Sequence, residues 1–80
     1  MRIRVRFFAL YGELVGRDEE EYTLKSGSKV EDLINLVVEK HEHMKELKGM
    51  LVAINNVFVK SGTHLKDGDV VALLPPVSGG

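Results

Sequence analysis

The sequence contains no cysteine. That absence excludes a disulfide framework, a thiolate metal site, a cysteine nucleophile and a persulfide carried on a side chain, and it fits a reducing cytoplasm. There is no charge imbalance either: 11 Lys+Arg stand against 12 Asp+Glu, a formal net charge of −1. No overall field therefore draws the chain to nucleic acid or to an anionic membrane. Long hydrophobic runs are missing too. The longest uncharged stretches, residues 50–59 and 70–80, carry Asn or Pro and Gly and fall well short of the ~20 apolar residues of a membrane span. The first apolar stretch is cut by Glu13 and lacks a small-x-small cleavage site, which argues against a signal peptide. No internal repeat, linker or low-complexity segment interrupts the 80 residues, a length for one small domain and not two. With 44% apolar and 29% charged residues, the expectation is a single compact, cytoplasmic domain.

What is present is patterned. Ile3, Val5 and Phe7 alternate with Arg2, Arg4 and Arg6, the period of a half-buried strand over residues 2–8. Phe8 has the parity of the arginines, so its ring is expected to face away from the core. Residues 9–16 suggest a short helical turn ended by Gly16. Glu21–Lys25 reads as a second strand, and the acidic run Asp18–Glu21 as the solvated hairpin connection before it. Ser28 and Glu31 have the spacing of a capping box. Val30, Leu33, Ile34, Val37 and Val38 then form one apolar stripe of a helix ending around residues 40–43. Met44–Leu47 adds a short turn. Leu51–Ile54 and Val57–Val59 are short strands joined by Asn55-Asn56, a pair that tolerates the positive φ of a tight hairpin. Asp67-Gly68 turns the chain into Val70–Leu74, apolar enough to lie centrally in a sheet. Pro75 and Pro76 lack the amide that would continue a ladder, so the chain leaves the sheet stiff and extended.

The order is ββαβββ, an α+β fold. Two hairpins around one main helix give a mixed sheet covered on one face, a roll of the β-grasp type. The domain is expected over residues 1–76, with residues 77–80 as a free tail.

The candidate chemical groups are sparse. Arg2, Arg4 and Arg6 could form a phosphate-binding stripe, but only Phe8 supplies an interleaved aromatic and the overall charge is slightly acidic. A solvated outer face is the better reading, and no nucleic-acid partner is expected. His41 and His43 are two apart and His64 is remote, so no metal site is expected. A histidine at a helix C-terminus is explained by the helix dipole. Residues 18–21 form a charge run with no catalytic partner, and no glycine pattern matches a phosphate-binding loop. The body of the domain shows no catalytic equipment, and isolated protein is expected to convert no substrate.

The chain ends in Val77-Ser78-Gly79-Gly80. Four residues at ~3.3–3.6 Å each carry the end well clear of the domain. Glycines without Cβ can thread a narrow channel in a partner. A free α-carboxylate with a pKa near ~3.5 is ionised and a poor electrophile. It must first be activated, most naturally as a mixed anhydride made by a separate ATP-using enzyme. In a chain without cysteine, any sulfur in transit must sit on that carboxylate.

From RIRVRFFA and GELVG through LKDGDVVALLPP to the terminal PPVSGG, the sequence resembles the small, sulfur-carrier subunit of molybdopterin synthase. The ending PPVSGG after an apolar strand is the specific part. A Gly-Gly end alone also fits ubiquitin-like modifiers and the thiamine-pathway sulfur carrier. The resemblance implies a ubiquitin-like β-grasp fold with no bound cofactor. It further implies that the Gly80 carboxylate is adenylated, with ATP, by an E1-like adenylating enzyme and then converted to a thiocarboxylate. The tail would enter the large, catalytic subunit of a heterotetrameric synthase and give its sulfur to precursor Z, the cyclic pyranopterin monophosphate. Phe8, Phe58 and Leu74 would contact partners beside Pro75 and Pro76. The alternative, in which Phe58 and Leu74 are core residues, stays open because short strands leave their facing ambiguous. Isopeptide modification of other proteins through Gly80 is the competing function.

Overall fold

A computed structural model describes residues 1–76. The chain runs β1 (Arg2–Phe7), α1 (Leu10–Val15), β2 (Glu19–Thr23), α2 (Val30–Lys40), a 3₁₀ turn (Glu42–Glu46), β3 (Leu51–Ile54), β4 (Val57–Val59) and β5 (Val70–Leu74). The alternation in β1 sets the first layer: Ile3, Val5 and Phe7 are buried while the arginines are exposed. The five strands form one sheet in the order β2-β1-β5-β3-β4. The β1–β5 pair is parallel and the other three are antiparallel. The apolar β5 is therefore central, and its Val71 and Leu73 are fully buried.

Helix α2 covers one face. Val30, Leu33 and Val37 are buried with the inner residues of β1 and β5, and Ile34 and Val38 pack at the margin. Met44 of the 3₁₀ turn closes one end of this core and Leu24 and Leu65 contribute from loops. Such burial stabilises by roughly 25 cal/mol per Å² of apolar surface. Among the described residues no helix is long and apolar enough to cross a membrane.

The β3–β4 turn is built as expected, with Asn55 at φ 48° and Asn56 at φ 72°. Asn55 also ties this hairpin to β5, since its Nδ2 donates to Asp69 Oδ1 at 3.1 Å and the Val70 amide donates to its Oδ1 at 3.1 Å. The Asp67-Gly68 turn braces the start of β1, whose Arg2 amide donates to Asp67 Oδ1 at 2.8 Å.

Three expectations are corrected. Strand β2 begins at Glu19, two residues before its expected start, so Glu19, Glu20 and Glu21 of the acidic run belong to the strand. The register Arg6↔Glu19 and Arg4↔Glu21 sets carboxylates opposite the arginine stripe, which favours pairing there over a solvated loop. The helix cap lies one residue later than the Ser28–Glu31 box. Lys29 is extended at φ −107°, ψ 169° and bridges His64, so the Asp32 carboxylate accepts the Lys29 amide at 2.8 Å. Finally, β1 stops at Phe7, because the next residues turn sharply into α1.

That turn is strained. Ala9 lies at φ 51°, ψ −130°, where an L-residue with a Cβ costs of order 1–3 kcal/mol. Gly16 ends α1 in the left-handed conformation at φ 80°, as its position predicts.

Candidate functional site

Among the described residues no helix covers the sheet face away from α2, and the registers assign its residues row by row. One row runs Glu19, Arg6, Ala72, Ala53, Phe58 from β2 to β4. The adjacent row pairs Leu74 of β5 with Leu51 of β3. Phe8 stands at the end of that row, because its amide continues the parallel ladder onto the Leu73 carbonyl at 3.1 Å. The face thus passes from acid to base to small apolar side chains to an aromatic. Its middle is a shallow floor of two alanines rimmed by Phe8, Leu74, Leu51 and Phe58.

Exposure separates these residues. Phe58 is 66% exposed and Phe8 38% exposed, so neither belongs to the core. Leu74 is half-buried. Apolar side chains of this size, grouped on one face and left this open, make that face a candidate docking surface. The Arg6 guanidinium lies 5.3 Å from the Phe8 ring centroid, a cation–π arrangement that orients the ring.

Two arginines of the stripe, Arg2 and Arg6, are paired with carboxylates of β2. Arg2 Nε lies 3.7 Å from Glu21 Oε1 and Arg6 Nε 4.0 Å from Glu19 Oε2, with all four side chains well exposed, a setting in which such pairs contribute little. This supports a solvated, charge-balanced flank over a phosphate track.

The root of the tail sits at the same end of the sheet. Pro75 is half-buried and Pro76 exposed directly after Leu74. Val77, Ser78, Gly79 and Gly80 lie outside the described residues. Gly49, at φ 76°, is doubly disfavoured for a side chain: an L-residue rarely adopts that φ, and a Cβ there would lie 3.1 Å from Pro76 Cβ, so Pro76 would have to give by a few tenths of an ångström. Gly49→Ala is accordingly expected to destabilise the fold by about 1–2 kcal/mol and to move Pro76. Thermal unfolding and the Pro76 carbon shifts measure the two effects.

An apolar groove of about 680 Å³ separates α2 from the β3–β4 hairpin, lined among others by Val30, Ile34, Met50, Val52 and Phe58. Neither this groove nor the Gly49–Pro76 contact has a signal in the sequence, since both arise between distant segments.

A second cluster lies at the opposite flank. Glu20, expected in a solvated run, is buried, with a side chain 3% exposed. Lys40 Nζ lies 3.0 Å from its Oε2. His41 Nε2 donates to Oε1 at 2.7 Å and the Tyr22 hydroxyl donates to the same oxygen at 2.9 Å. Burial opposes the charge of Glu20, but the contacts from His41, Lys40 and Tyr22 outweigh it and hold the carboxyl below its ordinary range. Burial and the neighbouring carboxylate push the Tyr22 phenol up. His41 therefore does more than sit at the helix dipole: it joins the end of α2 to β2, its ring edge-on to Phe7 at 6.0 Å between centroids. The signal for Glu20 was its parity with Tyr22 and Leu24. No group of three or more potential metal ligands gathers among the described residues.

Comparison with known proteins identifies the chain's relatives. Residues 5–80 match the ThiS family. The chain is 36% identical over 83 residues to the molybdopterin synthase sulfur carrier subunit of Chlamydomonas reinhardtii, with 100% of each covered. A candidate molybdopterin converting factor subunit 1 from Pyrococcus furiosus has a TM-score of 0.90 at 37% identity, covering 96% of this chain and 99% of that one. A chain of the complex of subunits 1 and 2 of the Helicobacter pylori molybdopterin-converting factor matches at 32% identity and a TM-score of 0.70, with 100% of both covered. The small archaeal modifier protein 1 of Methanosarcina acetivorans matches at 26% identity and a TM-score of 0.82, covering 99% and 96%. The β-grasp topology, the apolar face beside the tail root and these full-length matches agree: the chain belongs to the ThiS family and is similar along its whole length to molybdopterin synthase sulfur carrier subunits.

Proposed function

We propose that this protein carries sulfur as a thiocarboxylate on Gly80 and delivers it to a molybdopterin synthase large subunit, which transfers it to precursor Z. The observation that carries this reading is the convergence of the tail root, Pro75 and Pro76, with the uncovered apolar face of Phe8, Leu74 and Phe58. A carrier needs such a face because the tail alone offers little area for recognition, and aromatic anchors around a shallow floor supply it. The full-length similarity to sulfur carrier subunits, and the subunit 1–subunit 2 complex of the Helicobacter relative, support the same partner.

The carboxylate is activated in two steps on an E1-like partner. Its oxygen attacks the α-phosphorus of ATP and expels pyrophosphate, giving an acyl adenylate. A sulfur nucleophile then displaces AMP. No side chain of this chain takes part, in keeping with the absence of cysteine, and the protein itself holds no cofactor in this scheme.

The test is intact mass after incubation with ATP, a sulfide source and the activating enzyme, beside a chain lacking Gly80. The expected result is a gain corresponding to one oxygen replaced by sulfur, absent in the shortened chain. Failure of that gain together with attachment to lysines of other proteins would reverse the assignment. That second reading, a ubiquitin-like modifier, draws on the similarity to the Methanosarcina modifier protein.

A further inference from the structure

Ala9 occupies φ 51°, ψ −130°, a region open to glycine and nearly closed to an L-residue, whose Cβ crowds the adjoining peptide groups. Three backbone hydrogen bonds enforce it. The Phe8 amide donates to the Leu73 carbonyl, the Tyr11 amide reaches back to the Phe8 carbonyl, and the Gly12 amide donates to the Ala9 carbonyl, each at 3.1 Å. Tyr11, 2% exposed, anchors the far side of the turn in the core. The side chain of Ala9 itself is exposed, so its own packing gives no reason for an alanine here. A glycine would keep all three bonds without the crowding. What the turn does fix is the direction of Phe8, the residue immediately before it, whose ring lies beside Arg6.

We propose that Ala9 is a positioning residue: its strained backbone holds Phe8 in the direction in which it meets the partner, at a cost in stability to the free chain. The inference rests on the reading of the uncovered face as a partner surface. For alanine the allowed patch around these angles is small, so excursions that would swing Phe8 are cut off by steric walls. Glycine has a broad basin in the same place. A side chain already ordered before binding loses less conformational entropy when the partner covers it.

The experiment compares Ala9→Gly, Phe8→Asp and the unaltered full chain in thermal unfolding and in calorimetric titration with the synthase large subunit. Ala9→Gly is expected to raise the unfolding midpoint by about 4 °C and to weaken binding by about threefold to tenfold. Opposite signs in the two readouts are what a merely structural turn would not produce. A midpoint that fails to rise overturns the proposal, as does binding unchanged by Ala9→Gly while Phe8→Asp weakens it. If Phe8→Asp also binds like the unaltered chain, the partner-surface reading has failed and the proposal falls with it.

Discussion

Replacing Phe8 and Phe58 together by Asp is expected to lower affinity for the synthase large subunit by about 100-fold or more, while the unfolding midpoint moves by no more than about 4 °C. The two effects separate because of where the rings lie. Phe58 is 66% exposed on edge strand β4 and Phe8 38% exposed beyond the end of β1, so neither ring contributes much to the core. In the proposed complex each would become a buried aromatic, and truncation of such an anchor typically costs 2 kcal/mol or more. An introduced carboxylate adds the penalty of a desolvated, unpaired charge. Ala72 and Ala53 lie in the same row of the face as Phe58, and their small side chains leave room that a partner side chain would fill in the proposed complex. Titration calorimetry with each single variant and the pair measures the loss. Unchanged affinity in the pair would remove the uncovered face from the binding surface altogether.

The face was half legible in the sequence. Alternation in RIRVRFF puts the arginines and Phe8 on one side, and that assignment needs only the period of a strand. Phe58 and Leu74 sit in strands too short for parity to decide, and their placement follows from cross-strand registers that only the assembled sheet defines. The same distinction runs through the fold. The apolar stripe of α2, the Asn55-Asn56 hairpin and the proline exit after β5 are local signals, and each forms where the pattern places it. Strand β2 begins earlier than its composition suggests because Glu19 and Glu20 pair in register with Arg6 and Val5 of β1 and Glu20 is buried against Lys40, His41 and Tyr22, contacts invisible along the chain. The cap of α2 shifts for a related reason, as the bridge from Lys29 to His64 fixes the extended residue before the helix. Ala9 carries no local mark of its positive φ. Its conformation is imposed by the hydrogen bonds that the Phe8, Tyr11 and Gly12 amides donate around it, to the carbonyls of Leu73, Phe8 and Ala9.

Glu20→Gln is expected to destabilise the fold by about 1–3 kcal/mol at neutral pH, with the difference disappearing in acid. The carboxylate is buried, accepts from His41 and Tyr22 on one oxygen and faces Lys40 on the other. A glutamine keeps the volume but removes the charge that these groups surround, leaving His41 and Tyr22 sharing one weaker acceptor. Arg17, 4.0 Å from Oε2, is exposed and adds little. The pH dependence follows from the direction of the shift. In the folded chain the carboxyl is held below its ordinary value of 4.5, so the unfolded chain binds the proton more readily than the folded one. The stabilisation is therefore fully present above that ordinary value and is lost as pH falls from it through the lower folded-state value. Unaltered protein should show a stability that declines across this window, and Glu20→Gln a shallower decline from a lower plateau. Denaturant unfolding measured from neutral pH down through the carboxylate range tests both features. Parallel curves for the two proteins would mean that Glu20 is not the group that couples the end of α2 to β2 through its charge. If instead the curves converge in acid, the contacts from Lys40, His41 and Tyr22 hold the helix end on the sheet as a charged unit, remote from the face that carries Phe8 and Phe58.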